Sequence, residues 1–323
     1  MRVFVTGAAG FVGSAVVRLL RARGDDVTAA VREPDRARAL RDLGCRLVRT
    51  DLSSTAELIG LMSDADGLIH AAGSYRIGIR RSERPAMEDA NVGATARTLD
   101  AAIGAGIPRI VHVSTVNVFG DTHGAIVDET YRRDRRTGFL SWYDDTKYRA
   151  HLVAEARIEA GAPVVIAMPG TVYGPADHSQ LGGQIADAFS GGLRYLALTD
   201  VGSCFVHIDD VAAGLVAALE RGRPGESYVV AGAALRSIDA LTIAARLGGR
   251  RLPRLTVPTG VLRAVAPLTG LLGGRFGLPA DLGEVIAASD GVTYWASHAK
   301  AGRELAFEPR EIEAGLRDTF LAS

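Results

Sequence analysis

A chain of 323 residues, 47% apolar and 23% charged, is long enough to bury one large core or two smaller ones. Its 37 Lys and Arg balance 37 Asp and Glu, so the whole-chain charge gives no support for nucleic-acid or anionic-membrane binding. Two cysteines, Cys45 and Cys204, exclude a disulfide framework and a cysteine-rich metal site. A strand-like run already under way at Arg2 leaves no room ahead of it for a signal peptide, so a reducing cytoplasm is the expected location.

That run, Arg2 to Val5, meets Thr6-Gly7-Ala8-Ala9-Gly10-Phe11-Val12-Gly13 and then the apolar helical spacing of Ser14 to Leu20. The glycines therefore fall on a strand-to-helix turn. Gly7 permits the tight turn, Gly10 carries no Cβ to block a pyrophosphate, and Gly13 lets the helix lie close to the strand. The helix start, with the amides of Phe11, Val12 and Gly13, offers free N–H groups and a positive dipole end to phosphates. A dinucleotide is the expected ligand.

The second strand, Asp26 to Val31, ends at Arg32, where the side chain faces the adenosine ribose. A cation there suits the extra phosphate of NADP, whereas an acid would suit NAD. NADP is therefore expected, with NAD as the alternative because Glu33 is adjacent. A helix over about 34–43 leads to a third strand at Cys45 to Arg49. Asp51 and Leu52 follow, Asp51 reading either as a helix cap or as a cofactor contact. The fourth strand exits through His70-Ala71-Ala72-Gly73, and its small residues Ala71, Ala72 and Gly73 allow a flat or phosphorylated ligand to approach. His70 reads as a packed structural histidine. The arginines 76, 80, 81 and 84 form either an anionic-substrate patch or a solvated loop, and Asn91 falls in a long helix running to about Ala105. The fifth strand, Arg109 to Val113, ends in Ser114-Thr115, and the next helix carries Tyr143-x-x-x-Lys147. Residues four apart share a helix face, so phenol and ammonium converge. An isolated Tyr has a pKa of about 10 and is a poor acid–base group at neutral pH, and a nearby ammonium favours its phenolate.

The order of glycine turn, Ser/Thr after the fifth strand and Tyr-x-x-x-Lys resembles the extended short-chain dehydrogenases/reductases, in the dihydroflavonol-reductase-like or sugar-epimerase-like branch. The resemblance implies Thr115, Tyr143 and Lys147 as the catalytic set, with Ser114 as a neighbouring contact and Lys147 also holding the nicotinamide ribose. It implies that Asp51 and Leu52 touch adenine, that Pro169 and Val172 after the sixth strand lie against the nicotinamide, and that Asn91 either braces the active site or is a plain polar helix position. In Phe205 to Val211 it implies a structural role, with Asp209 or Asp210 capping a helix that begins at Val211. It extends to Lys300-Ala301-x-x-Glu304-Leu305-x-Phe307-x-Pro309. The expected fold is α/β, a Rossmann-type doubly wound parallel sheet over residues 1–168, to which segments around 203–231 return, with 169–323 mainly a smaller substrate-binding lobe.

The expected activity is NADP(H)-dependent reduction of a ketone or aldehyde by hydride transfer. Nucleotide-sugar epimerisation or dehydration is the second reading, and a non-catalytic NADP(H) sensor the third. A small-molecule carbonyl or sugar is the expected partner, with no metal, nucleic acid or membrane. A homodimer formed by the helices around Asn91 and Tyr143 is also expected. Leu255 to Gly274 is too interrupted by Arg263, Pro258 and Pro267 to span a bilayer. It reads as a buried or half-buried helix, with membrane-surface contact as the alternative.

Overall fold

The computed structural model describes residues 1–272 and 279–321. The alternation foreseen in the first half forms as β1 (Arg2–Thr6), α1 (Phe11–Ala22), β2 (Asp26–Val31), α2 (Arg38–Asp42), β3 (Arg46–Arg49), α3 (Thr55–Met62) and β4 (Gly67–His70). There follow α4 (Arg84–Glu88), α5 (Ala94–Gly104), β5 (Ile110–Val113), α6 (Trp142–Glu159) and β6 (Val164–Pro169). The helix expected over 34–43 is broken: a 3-10 turn occupies Pro34–Arg36 before α2 begins. The long helix around Asn91 is interrupted as well, by a π-helical turn at Asp89–Gly93 joining α4 to α5.

The second half adds β7 (Thr171–Tyr173), α7 (Gln180–Ser190), β8 (Gly202–His207), α8 (Ile208–Arg221), β9 (Ser227–Val230), β10 (Ala234–Arg236) and α9 (Ser237–Leu247). Helices α10 (Thr259–Leu272), α11 (Leu282–Ala287), α12 (Ala299–Leu305) and α13 (Ile312–Phe320) complete the described chain. Seven strands make one parallel sheet in the order β3-β2-β1-β4-β5-β6-β9, and β10-β8-β7 make a second sheet of three. The central strands β4, β5 and β6 are buried along nearly their whole length, as a sheet covered on both sides requires. Helices α1 and α8 cover one face with a core that includes Val16, Leu20, Val211 and Leu215. Helices α3, α5 and α6 cover the other with Leu58, Met62, Leu99 and Ala154. This is a doubly wound Rossmann-type fold. The strand order reverses between β1 and β4, so a crevice opens at their carboxyl ends.

One further expectation needs correction. Helix α8 begins at Ile208 rather than Val211, and its cap is His207, whose Nδ1 accepts from the Asp209 amide at 3.3 Å. Asp210 instead takes the Arg310 guanidinium at 2.8 Å. Imidazole caps are uncommon enough that Ser, Thr, Asp and Asn win any reading from sequence. The segment from Leu255 forms a half-buried helix, one of the two states its sequence allows. Helix α10 buries only one side, and Val261, Val265 and Leu268 are exposed. Residues 273 and 274 of that segment lie outside the described residues.

Candidate active site

Gly7 adopts φ +67°, and a Cβ there would meet the backbone of Ala71 and Ala72 at 2.7 Å. A Cβ on Gly13 would lie 2.1 Å from the Gly7 carbonyl oxygen. These two positions accept only glycine, because backbone rather than flexible side chain fills the space. The result is a β1–α1 turn pressed against the exit of β4. The α1 N-cap, Gly10, supplies no side-chain cap, which leaves the first-turn amides for a ligand.

One cleft of about 1290 Å³ runs across the strand ends. It is lined by Gly10, Phe11, Val12, Gly13, Ala71, Ala72, Gly73, Ser114, Thr115, Tyr143, Lys147, Pro169 and Val172, all singled out in the sequence. Small-molecule sites usually fall within roughly 300–1,000 Å³, so this cleft has room for a dinucleotide with a second molecule beside it. Gly7, Arg32, Asp51 and Leu52 do not line it. Gly7 lies beneath the turn. Arg32 is exposed at the end of β2, while Glu33 is taken by Arg36 at 3.0 Å. The Asp51 carboxylate accepts from the Ser53 amide at 2.9 Å, and Leu52 is buried with φ +64°.

Ser141 caps α6 by accepting from the Asp144 amide at 3.0 Å, and Tyr143 and Lys147 stand one turn apart on its buried face. Burial pushes the Tyr143 phenol above its ordinary value, with the Thr115 hydroxyl opposing the shift. Burial also pulls the Lys147 ammonium down to about 8. Its Nζ donates to the Val113 carbonyl at 2.9 Å, which fixes the side chain on β5. The Ser114 hydroxyl turns away to His151 Nδ1 at 3.0 Å, leaving Thr115 as the hydroxyl beside the phenol.

A buried network spans the sheet behind these groups. Thr6 Oγ1 meets His70 Nδ1 at 2.7 Å, and His70 Nε2 meets Thr95 Oγ1 at 3.1 Å. Thr95 donates to the Asn91 carbonyl at 2.6 Å, and Asn91 Nδ2 donates to Thr146 Oγ1 at 2.9 Å. Burial drives His70 down to about 3, so it stays neutral and structural, as expected. Asn91 also holds the Ser74 amide at 2.7 Å and the Ser74 carbonyl at 3.1 Å, so it braces the loop after β4 and α6 together.

The far wall of the cleft was not legible in the sequence. It contains Tyr75, Ile77, Leu181, Leu198, Leu262 and Val285, drawn from five separate segments. No spacing rule connects residues so far apart in the chain. Of the arginine cluster, Arg76 and Arg80 reach the cleft, Arg76 already bound to Glu83 at 2.8 Å. Arg84 lies 3.7 Å from Asp281. No cluster of metal ligands occurs among the described residues.

Residues 3–231 match the model of the NAD dependent epimerase/dehydratase family. The chain belongs to this family. Within it, the chain is 31% identical over 277 residues to a 4-hydroxy-2-methyl-3-oxo-4-farnesyl-3,4-dihydroquinoline-1-oxide ketoreductase of Stigmatella aurantiaca, covering 83% of this chain and 79% of the relative. The crystal structure of gox2253 superposes with a TM-score of 0.84 at 31% identity, over 99% of this chain and 96% of that one. A dTDP-glucose 4,6-dehydratase double mutant from Streptomyces venezuelae, solved with NAD and DAU bound, superposes at 0.78 with 25% identity over 99% and 95% of the two chains. As a member of this family the chain is a nicotinamide-dinucleotide-dependent enzyme, and its glycine turn, its uncapped helix start and Lys147 on the cleft wall suit that cofactor.

Proposed function

We propose that this epimerase/dehydratase family member is an NADPH-dependent reductase of a bulky, largely apolar ketone or aldehyde. The observation that carries the reading is a buried Tyr143 facing a cleft whose far wall includes the aliphatic and aromatic side chains of Tyr75, Ile77, Leu181, Leu198, Leu262 and Val285. A reduction needs a proton donor at the carbonyl oxygen, and a phenol, with an ordinary pKa of about 10, carries its proton at neutral pH. The bound cofactor supplies the hydride. Tyr143 gives its proton to the nascent alkoxide oxygen, and Thr115 donates a hydrogen bond that orients the carbonyl. Lys147 holds the ribose hydroxyls, and its charge favours the phenolate left behind. The apolar wall excludes water and accommodates the substrate body.

Preference for NADPH follows from Arg32, which is exposed while Glu33 is engaged by Arg36. A nucleotide sugar would ask for cations free to receive its diphosphate; of the two arginines of this cluster in the cleft, Arg76 is paired with Glu83, which leaves Arg80 for that role.

The test is cofactor consumption with NADPH and with NADH against panels of apolar ketones, aldehydes and nucleotide sugars. The reading expects NADPH oxidation with an apolar carbonyl, its loss in Tyr143→Phe with NADPH binding retained, and a swing towards NADH in Arg32→Asp. Conversion of a nucleotide sugar without net cofactor consumption would instead establish an epimerase or dehydratase.

A further inference from the structure

The charge balance of the whole chain conceals a local imbalance. From Ala240 to Ala280 the sequence contains no Asp or Glu, whereas Arg246, Arg250, Arg251, Arg254 and Arg263 all fall there. Arg246 is tied to Glu313 and Arg263 to Asp290. Arg250, Arg251 and Arg254 are exposed and have no ion-pair partner among the described residues.

This basic stretch runs directly into α10. On that helix Val261, Val265 and Leu268 follow the spacing of a single face and are 52%, 38% and 53% exposed, with Leu255 just ahead at 63%. The neighbouring face packs Leu262 and Ala266 against Leu282, Val285 and Ile286 of α11, and Leu262 also lines the cleft. One face of α10 therefore borders the cleft through Leu262, and the face next to it presents clustered apolar side chains to solvent. Scattered exposed apolar residues need no explanation, but a helical stripe of them beside an acid-free arginine run is the composition of an interfacial helix.

We propose that the outer face of α10, together with the arginine-rich segment leading into it, rests on an anionic lipid surface. The arginines meet the headgroups while Val261, Val265 and Leu268 enter the boundary above the acyl chains. A nucleic acid would use the arginines and leave the stripe in water, which is why the lipid surface is the better match. Among the described residues no helix is long and apolar enough to cross a membrane, so the contact is peripheral. If the apolar-carbonyl reading of the cleft holds, this placement sets Leu262 between the bilayer and the substrate site, and a lipophilic substrate enters without crossing bulk water.

The test is co-sedimentation of the full chain with vesicles of phosphatidylcholine alone and of an equal mixture of phosphatidylcholine and phosphatidylglycerol. The expected result is binding to the mixed vesicles about tenfold tighter than to the neutral ones, weakened by salt because the headgroup contacts are screened. Val265→Asp and, independently, combined Gln replacements at Arg250, Arg251 and Arg254 each weaken it about tenfold, while Ile103→Asp on exposed α5 surface leaves it unchanged. Leu255→Ser provides a second apolar variant outside the helix. Absence of binding, equal binding to both vesicles, or binding indifferent to these variants overturns the proposal. So does self-association through this face with no lipid binding, read by sedimentation. Vesicle binding is read without any substrate, so it stands or falls separately from carbonyl reduction.

Discussion

The Tyr75 ring stands edge-on to the Tyr143 ring, with centroids 4.8 Å apart and planes at 88°. Tyr75 is itself 60% exposed, so it forms the outer rim that separates the acid from solvent. Tyr75→Ala removes that rim and part of the apolar wall. For a carbonyl substrate, kcat/KM is expected to fall by about tenfold or more, carried mainly by KM, since apolar contacts of this size are worth about 1–3 kcal/mol. Steady-state kinetics on the best carbonyl from the panel check it, and an unchanged KM would remove Tyr75 from the substrate wall.

Gly10 and Gly13 separate folding from cofactor binding. A Cβ on Gly10 meets only the Gly7 carbonyl oxygen, at 3.1 Å, whereas one on Gly13 collides with it at 2.1 Å. Gly10→Ala is expected to retain a near-normal melting temperature and lose NADPH affinity by an order of magnitude. Gly13→Ala is expected to lower both. Thermal unfolding alongside fluorescence titration of NADPH distinguishes the two.

Lys147 ties activity to pH. Its folded pKa of about 8 lies below the ordinary lysine value of about 10.5, because burial disfavours the charge. Between those values the unfolded chain holds a proton that the folded chain has released, so stability rises with pH across that window. Cofactor affinity moves the opposite way and is expected to weaken above about pH 8 as the ammonium is lost. Lys147→Met should stabilise the unliganded protein at neutral pH by roughly 1–2 kcal/mol while abolishing turnover. Urea denaturation at neutral and at alkaline pH measures the first effect, and a stability unaffected by pH would contradict it.

Asn91 joins two segments that the chain keeps far apart, the loop at Ser74 and the catalytic helix at Thr146. Asn91→Leu leaves the Ser74 amide and carbonyl without their partner and is expected to cost about 2–4 kcal/mol. Proteolysis of the loop after β4 should accelerate at the same time. Denaturant midpoints and limited proteolysis test both, and full stability in the variant would show that the network is not needed for folding.

Arg133 and Asp144 form an ion pair at 2.7 Å with both side chains almost wholly buried, which anchors the loop after β5 to the first turn of α6. Removing one partner strands the other, so Asp144→Ala is expected to destabilise the protein by about 3–5 kcal/mol. Replacing both with Leu should recover much of that loss. Urea unfolding of the single and double variants measures the difference, and a double variant as unstable as the single would assign the loss to packing.

The sequence alone determined the elements whose signal is local. The glycine turn, the hydroxyl after β5 and the Tyr143–Lys147 pair each lie within a few residues of chain, where strand alternation and helical spacing fix which side chains share a face. The same locality misled at α8, where Asp209 and Asp210 carry the usual signature of a cap that His207 provides. The choice of Thr115 over Ser114 came from the family resemblance and not from local spacing, which could not foresee His151 reaching across from α6 to Ser114. Nor could it assemble the wall of Ile77, Leu181, Leu198, Leu262 and Val285, which tertiary packing alone brings to one cleft. The exposure of α10 was likewise decided in three dimensions: the periodicity gave an apolar helix, but whether Val261, Val265 and Leu268 meet protein or solvent depends on which neighbours pack against them. Local spacing sets which residues share a face, and long-range packing sets what that face meets.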